Sequence, residues 1–247
     1  MGKLSIYIPT WNRQHLLDRL LGTIQPQLVD DVDVFVSVNK SPEPYALPDW
    51  VNSRTTRTNV GGDANIGVGP TLVTGDYVWV IGDDEQLLPN AITDTLAAIK
   101  HQPGLIIHPS LKHDTSAING RTFPNYAAFC ETAISNNLGW IIAAHTLISS
   151  NTFLRAEYDL KLAYQLIDTR YGFHYGMLSN ILWKPVTVLP EPTMIYGREA
   201  SVFQHSPEVI REHMAMYPRV VYEIFGWIYA MTGYPIPPSC WKHGFDV

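Results

Sequence analysis

The sequence predicts an α/β fold: a doubly wound, mostly parallel sheet flanked by helices, with a helical C-terminal segment. Three observations predict it. Short apolar runs alternate with amphipathic helical stripes through Lys100, polar clusters follow directly after those runs, and a helix-start signal at Ser206-Pro207-Glu208 opens the C-terminal part.

Leu4 to Ile8 alternates apolar residues and stops at Pro9, which reads as the first strand. Asn12 then precedes Leu16, Leu17, Leu20, Leu21 and Ile24, a helical stripe that ends at Pro26. Val32 to Val38 is β-branched and nearly continuous, the pattern of a strand buried on both faces, and it runs into Asn39-Lys40-Ser41. After a Pro-containing connection, Asn59 to Gly67 opens a short helix. Tyr77 to Ile81 is another buried strand, closing on Gly82-Asp83-Asp84-Glu85, and Pro89 to Lys100 is a helix with Ile92, Leu96 and Ile99 on one face.

The second half is less regular. Leu105 to His108, Trp140 to Ser149 and Val186 to Leu189 read as strands, and Asn151 to Ile167 as a helix. Ser206-Pro207-Glu208 starts a helix through Tyr217, broken at Pro218 and resumed through Met231. No composition shift marks a boundary, so residues 1–247 are read as one domain with front and back halves, 1–105 and 106–247.

Composition excludes several classes. A chain of 247 residues, 46% hydrophobic and 16% charged, buries a sizeable core and is not disordered. The net charge of −6 removes the whole-molecule field on which nonspecific nucleic-acid binding relies. Cys130 and Cys240 form no CxxC pair, which fits neither a zinc site nor a disulfide framework. The N-terminus lacks signal-peptide features, and Val220 to Met231 is too short to span a bilayer, so a soluble cytoplasmic protein is expected.

Ligands of open α/β sheets bind at the carboxyl ends of the strands. Pro9 to Arg13, Asn39 to Ser41 and Gly82 to Glu85 all fall there. Asp83, Asp84 and Glu85 repel one another unless neutralised, and a hard divalent cation carrying a diphosphate would do so. A solvated acidic turn capping the next helix is the plainer reading of the triplet alone.

Taken together, the segments resemble the family 2 glycosyltransferases of GT-A fold. The resemblance rests on Ser5-Ile-Tyr-Ile-Pro-Thr-Trp-Asn-Arg13, Asn59-Val-Gly-Gly-Asp-Ala-Asn65 and Gly75-Asp-Tyr-Val-Trp-Val-Ile-Gly-Asp-Asp-Glu85. Their order and spacing look like those of a bacterial and phage subgroup. The resemblance implies that Pro9, Thr10 and Arg13 line the nucleotide side of a crevice, with Asp63 and Asn65 at base and ribose; Trp11, by its place after a strand end, is a candidate to stack on base or sugar. Asn39 stands where the family usually has an Asp that pairs with the base. Its amide both accepts and donates, which weakens the usual UDP preference without removing it. Gly82-Asp83-Asp84 matches the Asp-x-Asp metal motif with its first Asp replaced by Gly. Asp84 would then hold Mn²⁺ or Mg²⁺, and Asp83 would face the sugar or ribose. Apart from the resemblance, His205 in Phe203-Gln-His-Ser206 is a candidate further metal ligand, a hydrogen-bonded structural histidine being its plainer reading.

An inverting transfer also needs a base, in the family a carboxylate of the second half. The candidates are Glu157, Asp159, Asp168, Glu191 and Glu199. Asp168 is favoured because it follows an apolar helical run and starts an aromatic, glycine-containing loop suited to a pocket; a helix-end surface residue paired with Arg170 is its structural alternative. His174 and Trp79 read as packing residues. The implied activity is metal-dependent sugar transfer from a nucleotide-diphosphate sugar, with UDP favoured, to a hydroxyl acceptor. That acceptor is a glycan or lipid-linked glycan of surface-polysaccharide synthesis, reached in the cytoplasm or peripherally at the inner membrane face. The alternatives are a phage enzyme acting on hydroxymethylated DNA bases in a host cytoplasm, a noncatalytic sugar-nucleotide-binding module, and a nucleotidyltransferase of similar sheet order.

Overall fold

The computed structural model describes residues 2–109, 111, 114–136, 138, 151–169, 172–195, 197 and 226. The expected strand at Trp140 to Ser149, the C-terminal helices after Ser206, and His205, Arg170 and Glu199 lie outside the described residues.

The expected elements of the front half are present. Strand β1 is Leu4–Thr10, helix α1 Gln14–Ile24, β2 Val32–Val38, helix α2 Gly62–Gly67, β4 Tyr77–Val80 and helix α4 Ala91–Ile99. Between them lie β3 (Val51–Thr55), the single-turn helix α3 (Gly69–Leu72) and β5 (Gln86–Leu87). At Pro26 helix α1 gives way to a 3₁₀ turn over Gln25–Gln27, as the missing N–H of proline dictates.

Eight strands form the main sheet, in the order β3-β2-β1-β4-β8-β6-β9-β7. The β3-β2-β1-β4 half is wholly parallel. Strand β8 (Asn151–Leu154) runs antiparallel to both β4 and β6 (Leu105–Ile107). Next to β6 lies the parallel β9 (Val186–Val188), and β7 (Thr122–Phe123) closes the edge antiparallel to β9. The parallel prediction thus holds for the front half, whereas the back half is mixed. A separate two-stranded ribbon pairs β5 with β10 (Met194–Ile195).

Two expectations are corrected. Residues 151–167 are not one helix: β8 is followed by a 3₁₀ turn at Arg155–Glu157, helix α6 (Leu160–Gln165) and a 3₁₀ turn at Ile167–Thr169. Asp159, extended rather than helical, caps α6 by accepting from the Leu162 N–H at 2.9 Å, which explains the break. The glycine-containing segment after Asp168 is not an open loop but helix α7 (Gly172–Leu178), every residue of which is buried. Helix α5 (Tyr126–Ser135) completes the described helices of the back half.

Alternation along the strands divides the core between the two sheet faces. Leu4, Ile6 and Ile8 of β1 join Tyr77, Trp79 and Ile81 against α1 and α4. Tyr7, Val78 and Val80 face the other way, toward Phe129, Phe153 and Phe173. Trp79 is fully buried and stacks on His108 with ring centres 3.9 Å apart. Both faces being covered, ligands are left the strand ends.

Candidate active site

At the carboxyl ends of β1, β2 and β4 a crevice of about 170 Å³ is lined by Pro9, Thr10, Trp11, Arg13, Asn39, Gly62, Asn65, Ile66, Gly82, Asp83 and Asp84. The three predicted polar segments converge there, with the N-terminal turn of α2 as a fourth wall. A larger cavity of about 590 Å³ opens at the opposite end of the sheet, among Asp76, Tyr77, Ile99 and Lys184. It gathers none of the predicted residues.

Asp83 is buried at the end of β4 and held from β1. The Thr10 hydroxyl donates to its Oδ2 at 2.6 Å, and the Arg13 guanidinium lies 3.4 Å from the same oxygen. Burial pushes the Asp83 carboxyl up to about 6, against the opposing pull of Arg13 and Thr10. Tyr45, which the sequence reading did not select, organises this corner. Its hydroxyl accepts from the Arg13 N–H at 2.8 Å and lies 3.1 Å from the Thr10 hydroxyl. Since the Thr10 proton goes to Asp83, the Tyr45 proton goes to Thr10. An aromatic set between prolines in the polar stretch after Ser41 was the available signal.

Asp84 borders the crevice with a carboxylate that makes no hydrogen bond or ion pair among the described residues. Its carbonyl accepts from Arg19 Nη2 at 3.1 Å, which fixes the turn. Glu85 points elsewhere, its Oε2 accepting from the Gly197 N–H at 2.9 Å. Gly197 packs so closely on Asp84 that a Cβ there would overlap the Asp84 carbonyl oxygen. Gly197 therefore packs directly on the acidic turn.

Asn39 and Asn65 line the crevice, yet both are engaged within the protein. Asn65 Oδ1 accepts from Ser37 Oγ at 2.6 Å while its Nδ2 donates to the Ser37 carbonyl at 3.0 Å, pinning α2 to β2. Asn39 Nδ2 donates to Asn59 Oδ1 at 2.8 Å, and its Oδ1 accepts from the Val60 N–H at 2.9 Å. Trp11 is 46% exposed, its indole N–H donating to the Lys40 carbonyl at 3.2 Å. The indole face beside the β2 end is thus available for stacking.

Asp63 lies on the other side of α2, in a small cavity shared with Tyr164, Ile167 and His174. Asp168, one residue beyond Ile167, is exposed and makes no hydrogen bond or ion pair among the described residues. It does not line the crevice. Of its rivals, Asp159 is spent on its cap, and Glu157 pairs with Lys184 at 3.1 Å. Glu191 is exposed.

Among the described residues no three His, Cys, Asp or Glu side chains gather into a metal cage. A cation bound through a diphosphate needs only one or two protein carboxylates. Asp84, unengaged among the described residues and lining the crevice, fits that requirement; Asp83, paired with Arg13, fits it less well.

Helix-flanked sheet and strand-end crevice together define an open α/β architecture with its ligand site at the strand ends. A family model described as Glycosyl transferase family 2 matches residues 5–159, and the chain belongs to that family. Abequosyltransferase RfbV of Salmonella typhimurium is 30% identical over 100 residues, covering 36% of this chain and 30% of its own. GalNAc(5)-diNAcBac-PP-undecaprenol beta-1,3-glucosyltransferase of Campylobacter jejuni is 29% identical over 102 residues, 38% of this chain and 33% of its own. The chain thus spans about a third of the length of these curated relatives. Among solved structures, S. aureus TarS 1-349 in complex with UDP-GlcNAc aligns with a TM-score of 0.61 at 16% identity, over 87% of this chain and 65% of that one. The mannosyltransferase PcManGT from Pyrobaculum calidifontis, in complex with GDP-Man and Mn²⁺, gives 0.57 at 10% identity over 96% and 66%. These two establish the fold, which is GT-A. No described helix is long and apolar enough to cross a membrane.

Proposed function

We propose that this chain transfers a sugar from a nucleoside-diphosphate sugar to a hydroxyl acceptor, with inversion, and with a divalent cation at Asp84. The observation that carries the proposal is the strand-end crevice, where Asp84 presents a carboxylate unengaged among the described residues, beside the Thr10, Arg13 and Asp83 network.

The sugar–diphosphate bond breaks with negative charge developing on the departing phosphate. Mn²⁺ or Mg²⁺ at Asp84 would supply charge stabilisation there, stronger in the transition state than in the ground state. His205 is proposed as its second ligand. Arg13 adds a fixed positive charge at the crevice wall, and Trp11 and Asn39 border the base. Asp63, expected at base and ribose, lies in the cavity on the far side of α2 rather than in this crevice, and no donor contact is proposed for it.

For the acceptor hydroxyl, Asp168 is the proposed base. Its exposed 3₁₀ turn packs beside α2 through the cavity that Ile167 and Asp63 share. As the acceptor, a glycan or lipid-linked glycan has the support of the relatives' names. The cytoplasm, or the inner membrane face, is where such substrates would be met. The hydrogen bonding of Asn39 weighs against the uridine donor that the resemblance implies.

A thermal-shift screen of nucleotide sugars with and without Mn²⁺ tests this reading, since only ligands preferring the folded state raise the melting temperature. Mn²⁺-dependent stabilisation by at least one nucleotide sugar is expected. No response to any of them would overturn the donor assignment.

A further inference from the structure

Asn39 stands at the end of the crevice away from the acidic turn. The order β2-β1-β4 puts two strand spacings, about 10 Å, between the strand ends carrying Asn39 and Asp84. With the diphosphate at Asp84, the ribose bridges that gap and the base lies at Asn39, beside the exposed indole of Trp11. This placement rests on the donor reading proposed above.

Two backbone N–H groups fix the orientation of the Asn39 amide. The Val60 N–H donates to Asn39 Oδ1 at 2.9 Å, so that atom is the oxygen. The Gly61 N–H donates to Asn59 Oδ1 at 2.9 Å, so Asn59 also presents an oxygen, and Asn39 Nδ2 donates to it at 2.8 Å. The Thr56 hydroxyl lies 3.3 Å from Asn39 Oδ1, although its one proton has the nearer Thr58 carbonyl at 2.8 Å. The oxygen of Asn39 is therefore turned into the 56–60 loop. Among the described residues, the second hydrogen of Asn39 Nδ2 has no partner, and it is what the side chain offers a ligand.

We infer that Asn39 addresses the base as a hydrogen-bond donor, and that the site takes a base whose pairing-edge ring nitrogen is an acceptor. Cytosine N3 and adenine N1 have that character, whereas uracil N3 and guanine N1 carry a hydrogen that would meet the Asn39 N–H head on. Asn59 enforces the choice. An Asp at position 39 would suit uracil, but it would set a carboxylate oxygen against Asn59 Oδ1, which Gly61 prevents from turning.

Calorimetric titration of the full chain with CDP, ADP, UDP and GDP in Mn²⁺ tests the inference. The expected result is about tenfold tighter binding of CDP or ADP than of UDP and GDP, the difference of one hydrogen bond made or lost. The two favoured arms separate the cytosine source from the adenine source. Asn39→Asp is expected to reverse the order toward UDP. Should that variant melt before titration, Asn39→Asp with Asn59→Ser restores a donor to the new carboxylate and carries the same expectation. UDP or GDP bound by the unaltered chain as tightly as CDP and ADP overturns the inference and leaves the donor reading standing. Binding of none of the four overturns both.

Discussion

The hydroxyl of Thr10, the last residue of β1, donates to Oδ2 of Asp83, just beyond β4, at 2.6 Å. This bond ties two strand ends together at the floor of the crevice and, with Arg13, compensates a carboxylate whose burial pushes it up to about 6. It also sets the direction of the whole chain of bonds from the Arg13 N–H through Tyr45 to Asp83.

Thr10→Val removes that donor while keeping the side-chain shape. Leaving the buried carboxylate short of a partner costs about 1–3 kcal/mol, and each kcal/mol lowers the melting temperature of a chain this long by about 2–4 °C. Thr10→Ser keeps the hydroxyl and should melt close to the unaltered protein. Equal melting of the Val and Ser variants would show that the bond contributes nothing.

His108 gives a pH dependence whose sign is fixed. Full burial lowers its pKa to about 3, so the ring stays neutral, stacked on Trp79 and within 2.8 Å of the Thr152 hydroxyl. Below about pH 6.5 the unfolded chain takes up a proton that the folded chain refuses. The stability tied to the neutral ring is therefore complete above 6.5 and is lost as the pH falls toward 3, at about 1.4 kcal/mol per unit. Denaturant unfolding at pH 6.5 and 5 should show about 2 kcal/mol more loss for the unaltered chain than for His108→Gln. Parallel pH profiles would contradict this.

Asp159 and Asp168 separate a structural carboxylate from the proposed base. Asp159→Ala removes the α6 cap and should cost about 1 kcal/mol of stability. Asp168→Asn leaves an exposed turn unchanged, so its melting temperature should hold while sugar transfer falls by about a thousandfold. Donor binding should survive. Transfer by Asp168→Asn at the unaltered rate would move the base elsewhere.

Much of this was legible in the sequence. The β1, β2 and β4 strands and the α1 helix announce themselves because their apolar residues recur without interruption at the period of one element. The convergence of Thr10, Asn39 and Asp84 follows from their positions after those strands. Strand β3 was not legible, since Val51 is its only buried residue and an edge strand of polar residues carries no alternation. Strand β8 was hidden because Leu154, Tyr158 and Leu162 recur at helical spacing across what is really a strand, a turn and a cap. Nor can spacing show where a polar atom points. Both oxygens of the Asn39 and Asn59 pair are committed by backbone N–H groups that only the folded loop brings to them, and Tyr45 reaches Thr10 across 35 positions.

The central claim is a cation-assisted nucleotide-sugar site at Asp84, and calorimetric titration of a nucleoside-diphosphate sugar tests it most directly. The unaltered chain and Asp84→Ala are compared, each with Mn²⁺ and with chelator, after matched melting curves. The account predicts binding to the unaltered chain that weakens at least tenfold on chelation, and Mn²⁺-independent weak binding to the variant. Equal Mn²⁺-dependent affinity for the two proteins would contradict it.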